Sequence, residues 1–415
     1  MKLTIVGLLI LMVGCGPPRY RGRTTEVDRN RIPAIRVGLA TDRTSVRAAG
    51  TGRFQLRDLA SGENLGEDRR GRTWSMDAKG SWIEVISSDG IKVGLFSGPV
   101  RLLPLERGGR IWVDGREYRG VIDIVPEGGR LNIVNELDLE NYLRGVVPVE
   151  IGRLKASQID AVKAQAVAAR TYALANRGRR KTRGFDIYAT VEDQVYRGFE
   201  VETRTSDAAI AETYGVVASY KGRMISPFYS STCGGRTENI HEAWNSPAVP
   251  YLRSVKDEVR GVVFCGPSPV YRWTVEWERD TLERILSETL PSRSRRVDGP
   301  LEIRDLRIRK RSKSGRVQEL EIKTQQGNFR VEGDEVRRVL KRPSQGSPLL
   351  RSTLFSLKIY KDRHGRPGRI VANGGGFGHG IGLCQYGAIG MANRGYRFDQ
   401  ILRHYFRGTD LRRLY

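Results

Sequence analysis

From Ile35 to Tyr118 the chain alternates apolar and polar residues in short runs, IRVGL, SWIEVI, IKVGLF and IWVDG, separated by glycine-rich turns. A period of two sends successive side chains to opposite faces, so this stretch reads as strands that lay one face on a core. With 48 glycines among 415 residues, tight reversals are available throughout, and residues 35–118 are expected to form a small antiparallel β-rich domain. Length and a hydrophobic content of 39% suffice for two domains, or for one that carries insertions.

The pattern changes after Gly120. GVIDIVPEGGRLNIVNEL predicts a hairpin turning at Glu127, Gly128 and Gly129, and Asp138 is placed to cap a short helix through Leu143. A longer helix is predicted over about Gln158 to Arg177, where Ser157 and Asp160 make a start that resembles a capping box. Ile159, Val162, Ala166, Ala169 and Ala173 give this helix one face of mainly small residues, while Lys163, Val167, Arg170 and Leu174 form a second row. Two cations among apolar neighbours either pair with structural carboxylates or face anionic or sugar groups. Farther on, a helix is expected over Arg279 to Leu290. LEIRDLRIRKRSKSGRVQELEIKT reads as a basic hairpin turning at Ser314 and Gly315, its cations suited to a solvated face. The expected fold class is α+β: mixed, mostly antiparallel sheets with a few packed helices and an N-terminal β-rich region.

The compartment follows from the first residues. Lys2 precedes an apolar run, Leu3 to Val13, of roughly a dozen residues, whereas a bilayer-spanning helix needs about 20. The run is a signal-peptide core ending in Met12-Val13-Gly14-Cys15, which resembles a lipoprotein processing box with Cys15 as the site of lipid attachment. Residues 1–15 are therefore expected to be a lipoprotein signal peptide, and residues 16–34, which carry prolines and many charges, a linker. The expected location is the periplasm or cell envelope, anchored to the membrane through lipid.

A formal charge of +24 suits an anionic surface such as wall polymer. Its arginines are scattered rather than gathered into a stripe, and with an export signal this argues against nucleic acid. Beyond Cys15 three cysteines remain. Cys233 and Cys265 lie in turn-like contexts, TCGG and FCGPSP, and are the expected disulfide. Their spacing does not resemble zinc-ligand clustering, so neither metal nor another cofactor is expected.

Several blocks carry more specific information: NELDLENYLRGVVPVEI, AVKAQAVAARTYAL, DQVYRG, PFYSSTCGGRTENIHEAW, PYLRSV and GGGFGHGIGLCQYG. They occur in the order seen in the stage II sporulation protein D / LytB domain family, which the chain resembles from about Tyr118 to Tyr415. The resemblance implies a catalytic domain over 119–415, with extra sequence at about 270–350. It also implies an exported envelope protein. Sporulation members of that family are lytic transglycosylases acting on peptidoglycan glycan strands, and other members are enhancers of a wall amidase. The expected function is thus cleavage at N-acetylmuramic acid with formation of 1,6-anhydro ends. The alternative is a non-catalytic wall-binding protein that enhances or recruits an amidase.

By the same resemblance Glu150 is the catalytic residue, and Lys163, Arg170, Tyr251 and Arg253 fall on positions important for substrate. Some sporulation members hold zinc in a Cys and His cluster just before QVY. This chain has Tyr188, Glu192 and Asp193 there, so no zinc is expected at that place.

One carboxylate can suffice in a lytic reaction, because the C6 hydroxyl of the sugar attacks C1 and the nucleophile arrives with the substrate. Glu150 then acts first as acid and afterwards as base. Val146, Val147, Pro148, Val149 and Ile151 are apolar enough to desolvate it and lift its pKa above the ordinary glutamate value of about 4.3. Lys163 and Arg170 are expected to contact substrate rather than to pair with Glu150. His379 and Gln385 in the glycine-rich block, with Gln194, Tyr196, Ser230 and Ser231, are expected to line the cleft as binding residues, and Cys384 to pack as a small apolar group.

Overall fold

The computed structural model describes residues 31–244, 246–290, 301–344 and 348–415. The expected signal peptide, Cys15 and residues 16–30 of the linker lie outside the described residues. Where alternation was strongest, strands form. A seven-stranded sheet runs in the order Ile187–Tyr188, Ala34–Arg43, Arg130–Asp138, Val121–Glu127, Val100–Pro104, Phe54–Asp58 and Asn64–Asp68. A six-stranded sheet holds Ser45–Gly50, Thr73–Lys79 and Trp82–Ile86 at its centre. Ile35, Phe54, Leu56, Ile122 and Ile133 from the first sheet and Val46, Met76, Ile83 and Val85 from the second share one buried core.

The boundary expected at residue 118 does not separate folded units. Arg130–Asp138 is a central strand, antiparallel to Ala34–Arg43 with Ile35 opposite Leu137. Val121–Glu127 pairs with it and with Val100–Pro104. The same hydrophobic cluster continues from Ile35 to Phe406. A hairpin that alternates like the preceding strands joins their sheet, because pairing satisfies its backbone and buries its apolar face. The predicted turn is present, with Gly128 and Gly129 both at positive φ (57° and 77°).

Helix α1 (Leu139–Glu150) opens as expected, with the Asp138 side chain accepting the Asn141 N–H at 2.9 Å. It runs past Leu143 to Glu150, because Val146 and Val147 are fully buried and packing outweighs the poor helix propensity of Gly145 and Pro148. Glycine is needed at 145: a Cβ there would lie 2.4 Å from the Tyr196 ring. A 3₁₀ turn, Ala156–Gln158, leads into α2 (Ile159–Ala175), close to the predicted span. Ala161 to Leu174 are buried apart from Lys163, so α2 is a central helix, packed against α1, α3 (Arg204–Glu212), and the helices Gln385–Ala392 and Phe398–Tyr405. Its small side chains permit this crowding.

The extra sequence, with the strand Pro367–Gly374 that follows it, has a core of its own, made by Trp273, Trp277, Leu286, Leu306, Leu320 and Ile370. The expected hairpin forms as Ile303–Arg311/Val317–Thr324, with Leu306 opposite Ile322 and Ile308 opposite Leu320. Its tip is not solvated as its charge suggested. Arg316 is 2% exposed and donates to the carbonyls of Cys233 (2.6 Å) and Arg236 (3.1 Å), while Ser312 and Ser314 donate to Glu238. Buried carbonyls and a buried carboxylate draw these donors inward. Among the described residues no helix is long and apolar enough to cross a membrane.

Candidate active site

Glu150 ends α1, where the helix macrodipole disfavours an anion. Its carboxyl is part-buried, and the loss of solvent raises its pKa above the ordinary glutamate range. Three donors oppose that shift: the Val195 N–H at 2.8 Å from Oε1, the Gln385 amide and the Tyr229 hydroxyl. Among the described residues no lysine or arginine forms an ion pair with Glu150; Lys163 pairs with Glu212 and Arg170 with Glu140. The group is therefore held by neutral donors that stabilise a carboxylate without fixing it as one.

The donors are themselves oriented. Tyr142 donates to Gln194 Oε1 at 3.1 Å, which turns Gln194 Nε2 toward the Tyr229 oxygen at 2.9 Å. With its oxygen accepting from Gln194, the Tyr229 proton is free to face Glu150. Gln385 Nε2 also reaches Gln165 Oε1 of α2 at 3.4 Å. The loop carrying Val195 is pinned by Asp193, which accepts from the Tyr172 hydroxyl (2.9 Å) and the Tyr188 N–H (2.8 Å) and pairs with Arg180 at 2.7 Å. In the stretch before QVY, ion pairing and hydrogen bonds thus hold the loop through Asp193, while Glu192 is exposed.

His379 is a strut rather than a proton carrier. Its Nδ1 accepts the Ile381 N–H at 3.0 Å, so the neutral ring carries its proton on Nε2, 3.0 Å from the Tyr229 carbonyl. Loss of solvent pushes its pKa down to about 4. The ring stacks near Trp244, 5.1 Å between centroids. Tyr229–Ser230 lies parallel to Leu383–Cys384, so one pair of short strands places both Tyr229 and Gln385 beside Glu150.

Other expected binding residues are used differently. Arg170 is wholly buried, forks onto both oxygens of Glu140 at 2.7 Å, and donates to the Val216 carbonyl. Lys163 pairs with Glu212 of α3 at 2.5 Å. The cationic row of α2 therefore faces α3 and the Glu140 carboxylate, which corrects the expectation that it meets substrate. Tyr196 is likewise spent in the core, its hydroxyl donating to Asn135 at 2.8 Å and its ring lying 5.2 Å from that of Tyr142. Gln194 is fully buried and positions Tyr229 instead of touching a ligand. Ser230 is buried, and Ser231 is part-exposed beside Thr232. The Tyr251 hydroxyl accepts the Ser226 N–H, and Arg253 is exposed. Tyr229 and Gln165 escaped the sequence reading. A glutamine among the small residues of α2 was the one available signal. A groove of about 820 Å³ lies elsewhere, among Arg272, Trp273 and Arg311 of the extra sequence and Phe355 and Asn373 of the strands that follow it.

Cys233, Cys265 and Cys384 are all buried free thiols. The expected pair does meet, with the sulfurs of Cys233 and Cys265 3.7 Å apart and unbonded. Cys384 joins them and is no inert filler: its sulfur accepts the N–H groups of Cys233 (3.2 Å) and Gly387 (3.3 Å).

Comparison with known proteins covers part of the same blocks. A family model described as stage II sporulation protein matches residues 127–220, and one described as a domain of unknown function matches residues 264–382. An uncharacterized protein of Brachyspira hyodysenteriae is 30% identical over 300 residues, 72% of this chain and 73% of that one. Stage II sporulation protein D of Bacillus amyloliquefaciens is 30% identical over 301 residues, covering 67% of this chain and 75% of the relative. The amidase enhancer of Bacillus subtilis is 29% identical over 339 residues, which span 73% of this chain and 45% of that longer protein.

Proposed function

Starting from a chain that belongs to the stage II sporulation protein D / LytB family, we propose that it acts on the bacterial cell wall, cutting peptidoglycan glycan strands as a lytic transglycosylase. One observation carries this reading: Glu150 is desolvated, cation-free and ringed by oriented neutral donors. A carboxyl so placed keeps its proton to a higher pH than a solvated one and can deliver it to a glycosidic oxygen. Once the bond breaks, the carboxylate is met by the Val195 N–H, Tyr229 and Gln385, and it then takes the proton of the C6 hydroxyl as that oxygen closes the 1,6-anhydro ring. The tethered hydroxyl replaces a second carboxylate. Part-exposed Ser231 and exposed Arg253 are the remaining candidates for sugar contact. Gln385 serves both sugar and Glu150.

Export as a lipoprotein through Cys15, with the net charge of +24 drawn to anionic wall, belongs to the same proposal. The test is mass spectrometry of glycan strands digested by the purified protein. Anhydro ends that vanish with Glu150→Gln support the lytic reading. Binding to insoluble wall with no anhydro ends, together with faster cleavage by an added amidase, overturns it in favour of the amidase-enhancer reading that the Bacillus subtilis relative's name suggests.

A further inference from the structure

The three buried cysteines come from distant parts of the chain and meet around one carboxylate. One ligand atom from each of Cys233, Cys265, Cys384 and Asp257 can be chosen so that all four lie within 4.8 Å of one another, and all four residues are buried. A tetrahedral zinc ion with Zn–S bonds of about 2.3 Å sets its sulfurs about 3.8 Å apart. The Cys233 and Cys265 sulfurs are 3.7 Å apart. We propose that Cys233, Cys265, Cys384 and Asp257 form a structural zinc site of the Cys₃Asp type.

The surroundings match such a site in three ways. Its ligands are held by outer hydrogen bonds: Cys384 Sγ accepts the N–H of Gly387 in the first turn of the helix Gln385–Ala392 and the N–H of Cys233, and Asp257 Oδ2 accepts the Cys265 N–H at 3.0 Å. The Tyr405 hydroxyl holds the other oxygen of Asp257. Charge is also partly offset from outside the ligand set. Three thiolates, one carboxylate and Zn²⁺ sum to −2, and the buried Arg316 guanidinium donates to the Cys233 carbonyl while pairing with no carboxylate among the described residues. Finally, Asp257 forms no salt bridge among the described residues, so a cation bound by the thiolates answers its burial. The backbone around the cluster is equally committed: a Cβ on Gly387 would lie 2.4 Å from Asp257 Oδ1 and 2.0 Å from the Tyr405 oxygen.

The site sits beside the segments that carry two of the donors to Glu150. Cys384 precedes Gln385, and Cys233 follows the Tyr229–Ser230 strand by three residues. A closed, four-ligand zinc would tie these segments to the turn at Cys265 and to Asp257, as a cross-link does, with no open position for catalysis. Arg316 brings the tip of the extra sequence to the same point. Metal content is read without any assay of wall cleavage, so this proposal stands or falls separately from the lytic one.

The full chain, isolated from the cell envelope in detergent, is assayed for zinc by mass spectrometry and for thiols by alkylation before and after chelation. The expected result is one zinc per chain, with Cys233, Cys265 and Cys384 protected until the metal is removed. Replacing zinc by Co²⁺ is expected to give thiolate-to-cobalt charge-transfer absorption and the strong visible bands of tetrahedral cobalt. Cys384→Ser and Asp257→Asn are expected to weaken zinc binding at least ten-fold. The cobalt spectrum of the unaltered chain decides the matter if either variant fails to fold. A metal-free chain with a Cys233–Cys265 disulfide overturns the proposal, as do three thiols that react freely and give no cobalt band. Zinc bound equally well by both variants would overturn it too.

Discussion

Helix α1 carries two carboxylates ten residues apart in opposite circumstances. Glu140, in its first turn, is gripped by the buried Arg170 fork and by the Tyr415 hydroxyl. Glu150, its last residue, is desolvated and among the described residues meets only neutral donors. The first arrangement fixes charge and holds α1, α2 and the strand Val216–Tyr220 together. The second leaves a proton free to come and go. Burial alone does not separate a structural acid from a chemical one; the partner does.

That contrast can be broken at either end. Glu150→Gln is expected to lower strand cleavage by about 10²–10⁴-fold while leaving the fold intact, because a general acid is lost and the amide keeps the same shape. Glu140→Gln is expected to do the reverse in a cleavage assay and a denaturation curve run side by side. Truncating its partner sharpens the point. Arg170→Ala strands a buried carboxylate and is expected to cost about 3–5 kcal/mol in urea unfolding.

His379 supplies the next effect. Its folded pKa of about 4 lies below the ordinary value of 6.5, so the neutral ring contributes stability at pH 7 that is lost as pH falls from about 6.5 toward about 4. The expected loss between pH 7 and pH 4 is about 3 kcal/mol, and it should be missing from the pH dependence of His379→Gln. Smallest is Tyr229→Phe, which removes the hydrogen bonds to Gln194 and Glu150, each worth about 1 kcal/mol. Since the Tyr229 hydroxyl lowers the Glu150 pKa, its removal should move the alkaline limb of the rate profile to higher pH while slowing the reaction only modestly.

Much of this was legible in residue order. Alternation marked the strands from Ile35 onward and Asp138 marked the start of α1, whereas the expected Ser157 cap does not form: Ser157 lies in the 3₁₀ turn and α2 follows Gln158 with no side-chain cap, while Asp160 accepts the Phe398 N–H. The α+β class follows from those elements. The domain limit at residue 118 was not legible, since the pairing of Ile35 with Leu137 joins residues about a hundred positions apart. Nor could the end of α1 be read, because burial of Val146 and Val147 outweighs Gly145 and Pro148. Around Glu150 the apolar flank was visible, but its donors come from three separate segments. For the same reason the sequence could not bring Cys384 to the Cys233 and Cys265 pair, or tell that the Arg170 row of α2 faces Glu140 and α3. Periodicity names a face of a helix and is silent about what packs against it.

The central claim is that the Glu150 carboxyl keeps its proton above the ordinary glutamate range. Infrared difference spectroscopy, unaltered chain minus Glu150→Gln across a pH series, reads that proton directly. A protonated-carboxyl band persisting above about pH 4.3 and fading only at higher pH is the predicted result. A band that disappears at or below that value would contradict the account.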